Sequence, residues 1–136
     1  MPITEAQVRE IFKPLEEGNP PAFFENVADN VNWRVTGTQN PLGGDYTSKA
    51  DFQQKTFGRL GGVLKTKTVL KVVGVIVNDS NQAAVELKAD ATCKNDLEFA
   101  NEYCWVCQFD EEGKKIVRVR AYLDSALVKK ALDENE

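Results

Sequence analysis

The sequence predicts an α+β fold: a curved antiparallel sheet forming a cone, with N-terminal helices over its concave face. Three observations predict it. Helix-periodic segments gather in the first half of the chain, β-patterned runs joined by short turns fill most of the second half, and one more helical segment follows the last strand. Short turns make neighbouring strands antiparallel, and a sheet that is apolar on one face needs a layer of helices against it. A length of 136 residues is that of a single domain, residues 1–136, with enough chain to bury a core.

The elements follow in order. Thr4-Glu5-Ala6-Gln7 is a capping box. Val8, Ile11, Phe12 and Leu15 recur at helical spacing behind it, with Pro14 set to kink or end the helix and Gly18 to stop it. Asn19-Pro20-Pro21 starts a second short helix through Phe23, Phe24 and Val27. Val31 to Thr36 alternates as a strand, and residues 37–47 read as a loop rich in Gly, Pro and Asn. Ser48 with Asp51 opens a third helix carrying Phe52 and Leu60, ended by Gly61-Gly62. Strands are predicted over 66–77, 83–93, 98–109 and 115–123, with turns at Asp79-Ser80-Asn81, Lys94-Asn95-Asp96 and Asp110 to Gly113. Gly74, inside a strand, marks a bend. The last helix follows Asp124 with Leu127, Val128, Ala131 and Leu132 on one side, and residues 133–136 are expected to fray.

The last strand carries the most informative pattern. Residues two apart share a face, so Arg118, Arg120, Tyr122 and Asp124 point one way, and Val117, Val119, Ala121 and Leu123 the other. A polar, titratable row on a strand faces either solvent or a pocket.

Composition narrows the chemistry. The chain has no histidine, which removes a Ser-His-Asp triad, a Cys-His pair, a His-ligated metal and a histidine base. No cofactor or metal is expected. The net charge is −4 with no basic cluster, so nucleic acid is not a partner. No apolar run approaches the ~20 residues that span a bilayer, and the N-terminus lacks the features of a signal peptide. The expectation is a soluble, cytoplasmic protein without a membrane partner. Cys104 and Cys107 match C-x-x-C, but inside a strand they fall on opposite faces, so they read as small strand residues. Three cysteines in such a protein do not make a disulfide framework.

Trp33-Arg34-Val35-Thr36-Gly37-Thr38, the loop Asn40 to Tyr46, the segment Asn101 to Trp105 and the ending Arg120 to Asp124 come in an order that resembles the SnoaL-like polyketide-cyclase family of the nuclear-transport-factor-2-like superfamily. The resemblance covers nearly the whole chain. It implies an α+β cone with a deep apolar pocket, often a homodimer through the outer sheet face. Relatives include cyclases, ketosteroid isomerases, epoxide hydrolases, dehydratases and non-enzymatic carriers, so fold does not decide chemistry. In the epoxide-hydrolase branch an arginine bridges two aspartates, and an Asn and a Tyr hold water. By resemblance Asp90 and Asp124 are the two aspartates, Lys88 stands at the arginine and Asn40 at the asparagine, while Thr38 lies near the tyrosine's place. Lysine cannot form the bidentate fork of arginine. In the isomerase pattern, Asp90 or Asp124 would be the base and Tyr46, Tyr103 or Tyr122 a donor.

Each candidate carries two readings. Asp124 is a proton-transfer group with a pKa raised by an apolar cone, or the N-cap of the last helix. Asp90 and Lys88 face the pocket, or alternate with Val85, Leu87 and Ala89 and face solvent. Trp33 and Trp105 line the pocket and stack on a ring-bearing ligand, or are plain core. Arg118 and Arg120 orient a ligand, or pair across strands on the surface. Gly43-Gly44 reads as a mobile flap. The expected function is binding of a small hydrophobic metabolite, with cofactor-free acid–base isomerisation, cyclisation or epoxide hydrolysis through Asp124 and Asp90. The alternative is a non-catalytic ligand-binding or dimeric interaction domain.

Overall fold

The structure is a computed structural model that describes residues 2–136. Its helices are α1 (Glu5–Glu16), α2 (Pro20–Phe24), α3 (Lys49–Gln53), α4 (Arg59–Gly61) and α5 (Ser125–Asn135), with a π-helical turn, Gln54–Gly58, joining α3 to α4. The strands are β1 (Val27–Val35), β2 (Gly44–Tyr46), β3 (Val69–Val77), β4 (Gln82–Asp90), β5 (Glu102–Phe109) and β6 (Ile116–Leu123). They form one curved sheet in the order β2-β1-β6-β5-β4-β3. β3 to β6 is the predicted antiparallel meander, while β1 runs parallel to β6. The segment from Thr36 to Thr68, with its helices, carries the chain from β1 across to β3 at the far edge, and the meander then comes back to lay β6 beside β1.

Local signals act as expected at most element ends. Thr4 and Gln7 exchange both capping-box bonds, and Pro14 sits within the last turn of α1 without ending it. Asn81 and Asp96 adopt positive φ in the predicted turns, a conformation Asn and Asp tolerate better than most residues. The register of β3 slips between Val72 and Gly74. Val73 is the extra residue, and a Cβ on Gly74 would lie 2.7 Å from Glu86 Oε1. Glu16 of α1 accepts a hydrogen bond from Val72 N–H at this bulge (3.1 Å), which fastens the helix to the sheet's outer strand.

Several expectations are corrected. Val27 opens β1 instead of closing α2, and Lys49 Nζ donates to the carbonyls of Phe24 and Val27 at this junction. Residues 44–46 form β2, with Trp33 opposite Tyr46 and Arg34 opposite Asp45. The chain end does not fray: α5 runs to Asn135, Glu136 takes two hydrogen bonds from Arg59, and Asn135 Oδ1 accepts from Asn95 N–H. In β6, a register slip opposite Gln108 and Phe109 puts Ile116 rather than Val117 in the core.

The core fills the concave side. Phe12, Phe23, Phe24, Phe52 and the two tryptophans pack ring on ring beneath the helices. Full burial of such a side chain contributes about 1.5–3 kcal/mol, so this cluster supplies much of the packing energy that holds the helices to the sheet.

Candidate functional site

Between the concave face and the segment α3–π-turn–α4 lies a cavity of about 50 Å³. The sheet contributes Trp33 and Val35 from β1, Tyr103 and Trp105 from β5, Ala121 and Leu123 from β6, and Leu70 from β3. The helical side contributes Phe52, Thr56, Phe57 and Leu60, and connecting segments add Leu42, Leu64, Thr68 and Phe99. Strand alternation places the sheet residues: Trp105, Ala121 and Val35 occupy one inward row across β5, β6 and β1.

The wall is aromatic and nearly without polar atoms. Phe52 stacks on Trp33 with centroids 4.0 Å apart and planes 19° from parallel, and Trp105 meets Trp33 edge to face at 5.1 Å. The Thr56 hydroxyl donates to the Phe52 carbonyl (2.7 Å). Burial holds the Tyr103 phenol far above its ordinary pKa, with the Asn101 side chain pulling the other way. Tyr103 therefore stays protonated, with its hydroxyl beside the Asn101 side chain. Trp33 is fully buried, and its Nε1–H has no hydrogen-bond acceptor among the described residues.

Of the residues singled out from sequence, Trp33, Tyr103 and Trp105 line this cavity. Phe52 covers a face of Trp33, so that face is not free to stack on a ligand. Tyr46 lies beside the cavity, its ring packed edge-on to Phe52 and its hydroxyl donating to the Leu42 carbonyl (2.7 Å). Asn40 is buried in the loop below β1. Its Nδ2 donates to Thr36 O and its Oδ1 accepts from Leu42 N–H, both at 3.0 Å, so its polar atoms hold the loop closed.

The other candidates sit elsewhere, which corrects the pocket reading of their positions. β4 buries Ala83, Val85, Leu87 and Ala89, so Lys88 and Asp90 project from the opposite face into solvent. Tyr122 is 43% exposed on the same outer face, above Cys104. Asp124 is exposed, and its Oδ1 accepts from Leu127 N–H (3.1 Å) as the N-cap of α5. Asp90 and Asp124 are thus not brought together over the cavity, and among the described residues no carboxylate lines it.

Most of the wall lies outside the residues singled out from sequence. The inward alternation of their strands marks Val35, Ala121, Leu123 and Leu70 as candidates. Phe57 has no such signal, because the π-turn departs from α-helical spacing at that residue.

Solved structures with this arrangement decide the fold. A nuclear-transport-factor-2-like protein from Burkholderia thailandensis E264 superposes with a TM-score of 0.75 at 20% identity, over 92% of this chain and 93% of that one. PrhC from Penicillium brasilianum superposes with a TM-score of 0.77 at 8% identity, over 94% and 84%. The chain has the nuclear-transport-factor-2-like fold. No family model matches it. Among curated proteins, the chain is 28% identical over 136 residues to the dimerizing cyclase phiC of a fungal species (strain ATCC 74256). The match takes in 98% of this chain and 59% of that protein, so the chain spans about three fifths of the relative's length.

Among the described residues no helix is long and apolar enough to cross a membrane, and no cluster of His, Cys, Asp and Glu could hold a metal ion. Cys107 is buried facing inward and Cys104 lies on the outer side, as alternation requires, and neither is in a disulfide.

Proposed function

We propose that this protein binds a small hydrophobic molecule in the aromatic cavity and acts on it as a cyclase or isomerase. The observation that carries this reading is the cavity itself: a continuous aromatic and aliphatic wall inside the cone, with the neutral Tyr103 among its residues. Similarity to a protein named as a cyclase supports the reaction class. At about 50 Å³ the space is smaller than the ~300–1,000 Å³ of ordinary ligand sites. Entry of a metabolite therefore involves outward movement of the α3–π-turn–α4 segment, whose Phe57 and Leu60 form the cover.

The geometry favours catalysis by confinement and hydrogen bonding to a developing oxyanion. The acid–base version, with Asp124 and Asp90 transferring protons and Lys88, Asn40, Tyr46 and Tyr122 around the substrate, demands that these groups reach it from outside the wall. A panel of ketones, polyketide fragments, terpenoids and epoxides, followed by tryptophan fluorescence, tests the site. Saturable binding to wild type that disappears in Leu60→Trp, with an unchanged far-UV circular dichroism spectrum, is the expected result. Binding that persists with the cavity filled, or no binding to any compound, sinks the reading.

A second reading, a homodimer through the outer face, rests on a separate observation. Ile76 and Val73 are 69% and 63% exposed there. Arg34, Arg118 and Arg120 stand on the β1–β6 side, and Glu86 and Glu102 on the β4–β5 side. A twofold axis between these halves sets arginines against glutamates, with the exposed Ile76 and Val73 of edge strand β3 at the flank of the interface. Sedimentation equilibrium of wild type and Ile76→Glu checks it; a monomer at all concentrations ends it.

A further inference from the structure

We propose that Trp33 Nε1 is the anchoring donor for a carbonyl oxygen of the ligand, which makes the ligand a neutral ketone, ester or lactone. This deepens the cavity reading above and rests on it.

Buried indole N–H groups ordinarily find an acceptor. Trp33 is fully buried in the cavity wall, and its N–H has none among the described residues. Its surroundings explain why. Phe52 covers one face and Trp105 meets it edge to face. Val119 lies beside it on β6, and Tyr46, beside it on β2, gives its hydroxyl to the Leu42 carbonyl. An aromatic face is a weaker acceptor than a carbonyl oxygen. A phenylalanine would fill the same apolar site without stranding a donor, so the indole nitrogen needs a partner that the protein does not provide.

The wall also says what that partner is. Among the described residues no charged side chain lines the cavity, so a carboxylate or an ammonium ion would enter without a counter-charge, at a heavy desolvation cost. A carbonyl brings an acceptor and no donor of its own to be satisfied. Tyr103, on the same wall, is neutral as well, with its hydroxyl beside the Asn101 side chain.

The test uses ¹⁵N-labelled protein and two probes of one shape, cyclohexanone and methylenecyclohexane, with cyclohexanecarboxylate as the anionic arm. Trp105→Phe assigns the two indole resonances. Cyclohexanone is expected to move the Trp33 indole N–H downfield in a saturable way. Methylenecyclohexane binds without that downfield move, and the carboxylate does not bind. In Trp33→Phe the ratio of ketone to hydrocarbon affinity falls about tenfold. An indole resonance that stays put, or that responds alike to ketone and hydrocarbon, overturns the inference while leaving the cavity as a site. Failure of both neutral probes to bind overturns the cavity reading along with it. Should Trp33→Phe not fold, the wild-type indole resonance still decides.

Discussion

Asn101 and Asp124 hold one another through exchanged hydrogen bonds. The Asp124 backbone N–H donates to Asn101 Oδ1 at 3.1 Å, and Asn101 Nδ2 returns to the Asp124 carbonyl at 3.4 Å. Asn101 is 1% exposed. It joins the start of β5 to the end of β6, and its side chain also influences the Tyr103 hydroxyl. Asn101→Ala strands the Asp124 amide and should cost about 1–3 kcal/mol. Urea unfolding followed by circular dichroism checks this.

Asp124 itself is expected to matter as a cap. Asparagine caps a helix about as well as aspartate, whereas alanine costs about 1 kcal/mol. Asp124→Asn should therefore leave both stability and ligand turnover near wild type, and Asp124→Ala should lower stability alone. Loss of turnover in a stable Asp124→Asn protein would restore the carboxylate to the mechanism.

Two glycines should respond in opposite directions. A Cβ on Gly43 would lie 2.5 Å from the Gly37 carbonyl oxygen, inside the loop that Asn40 closes. Gly43→Ala should destabilise by about 1–3 kcal/mol, the scale of overpacking. A Cβ on Gly61 in α4 meets nothing, so Gly61→Ala should stabilise by about 0.4–1 kcal/mol through the unfolded chain. Thermal melts of the pair give the comparison directly.

Arg59 in α4 and Glu136 at the chain end form an ion pair that braces the cavity cover against the last helix. The hydrogen bonds from Arg59 lower the Glu136 pKa below its ordinary 4.5. A depressed carboxylate pKa means that the brace is complete above 4.5 and is lost as pH falls through the lowered value. Amide exchange in residues 59–62 should quicken across that window in wild type. It should be insensitive to pH-linked protonation of this site in Glu136→Gln after correction for intrinsic exchange. Salt should weaken the wild-type protection, since both groups are exposed.

How much of the molecule its residues announce follows from the range of the forces concerned. Caps, turns and alternation are local, so Thr4, Asn81, Asp96 and the apolar positions of β4 to β6 specify their elements and faces on their own. The parallel placement of β1 beside β6 depends on contacts between distant segments, and nothing local announces it. The same holds for the site. Trp33, Tyr103 and Trp105 are legible as inward aromatics on strands. Asp90 and Asp124 carry a polar periodicity consistent with either face of a cone, and only the packing of Leu87 and Ala89 beneath the helices assigns Asp90 outward. Glu136 looks like a loose end in the sequence because its partner lies 77 residues away.

The π-turn at Gln54–Gly58 has a consequence for how such a pocket changes over generations. A turn of this kind is what one inserted residue does to an α-helix. Deleting a single codon there would restore regular winding while the residues after the turn keep their faces, because the wide turn absorbs one residue. The residues inside the turn, Phe57 among them, would be re-aimed, leaving Leu60 and the sheet in place. The shape of this cavity is therefore open to revision by a change in length as well as by substitution of wall residues.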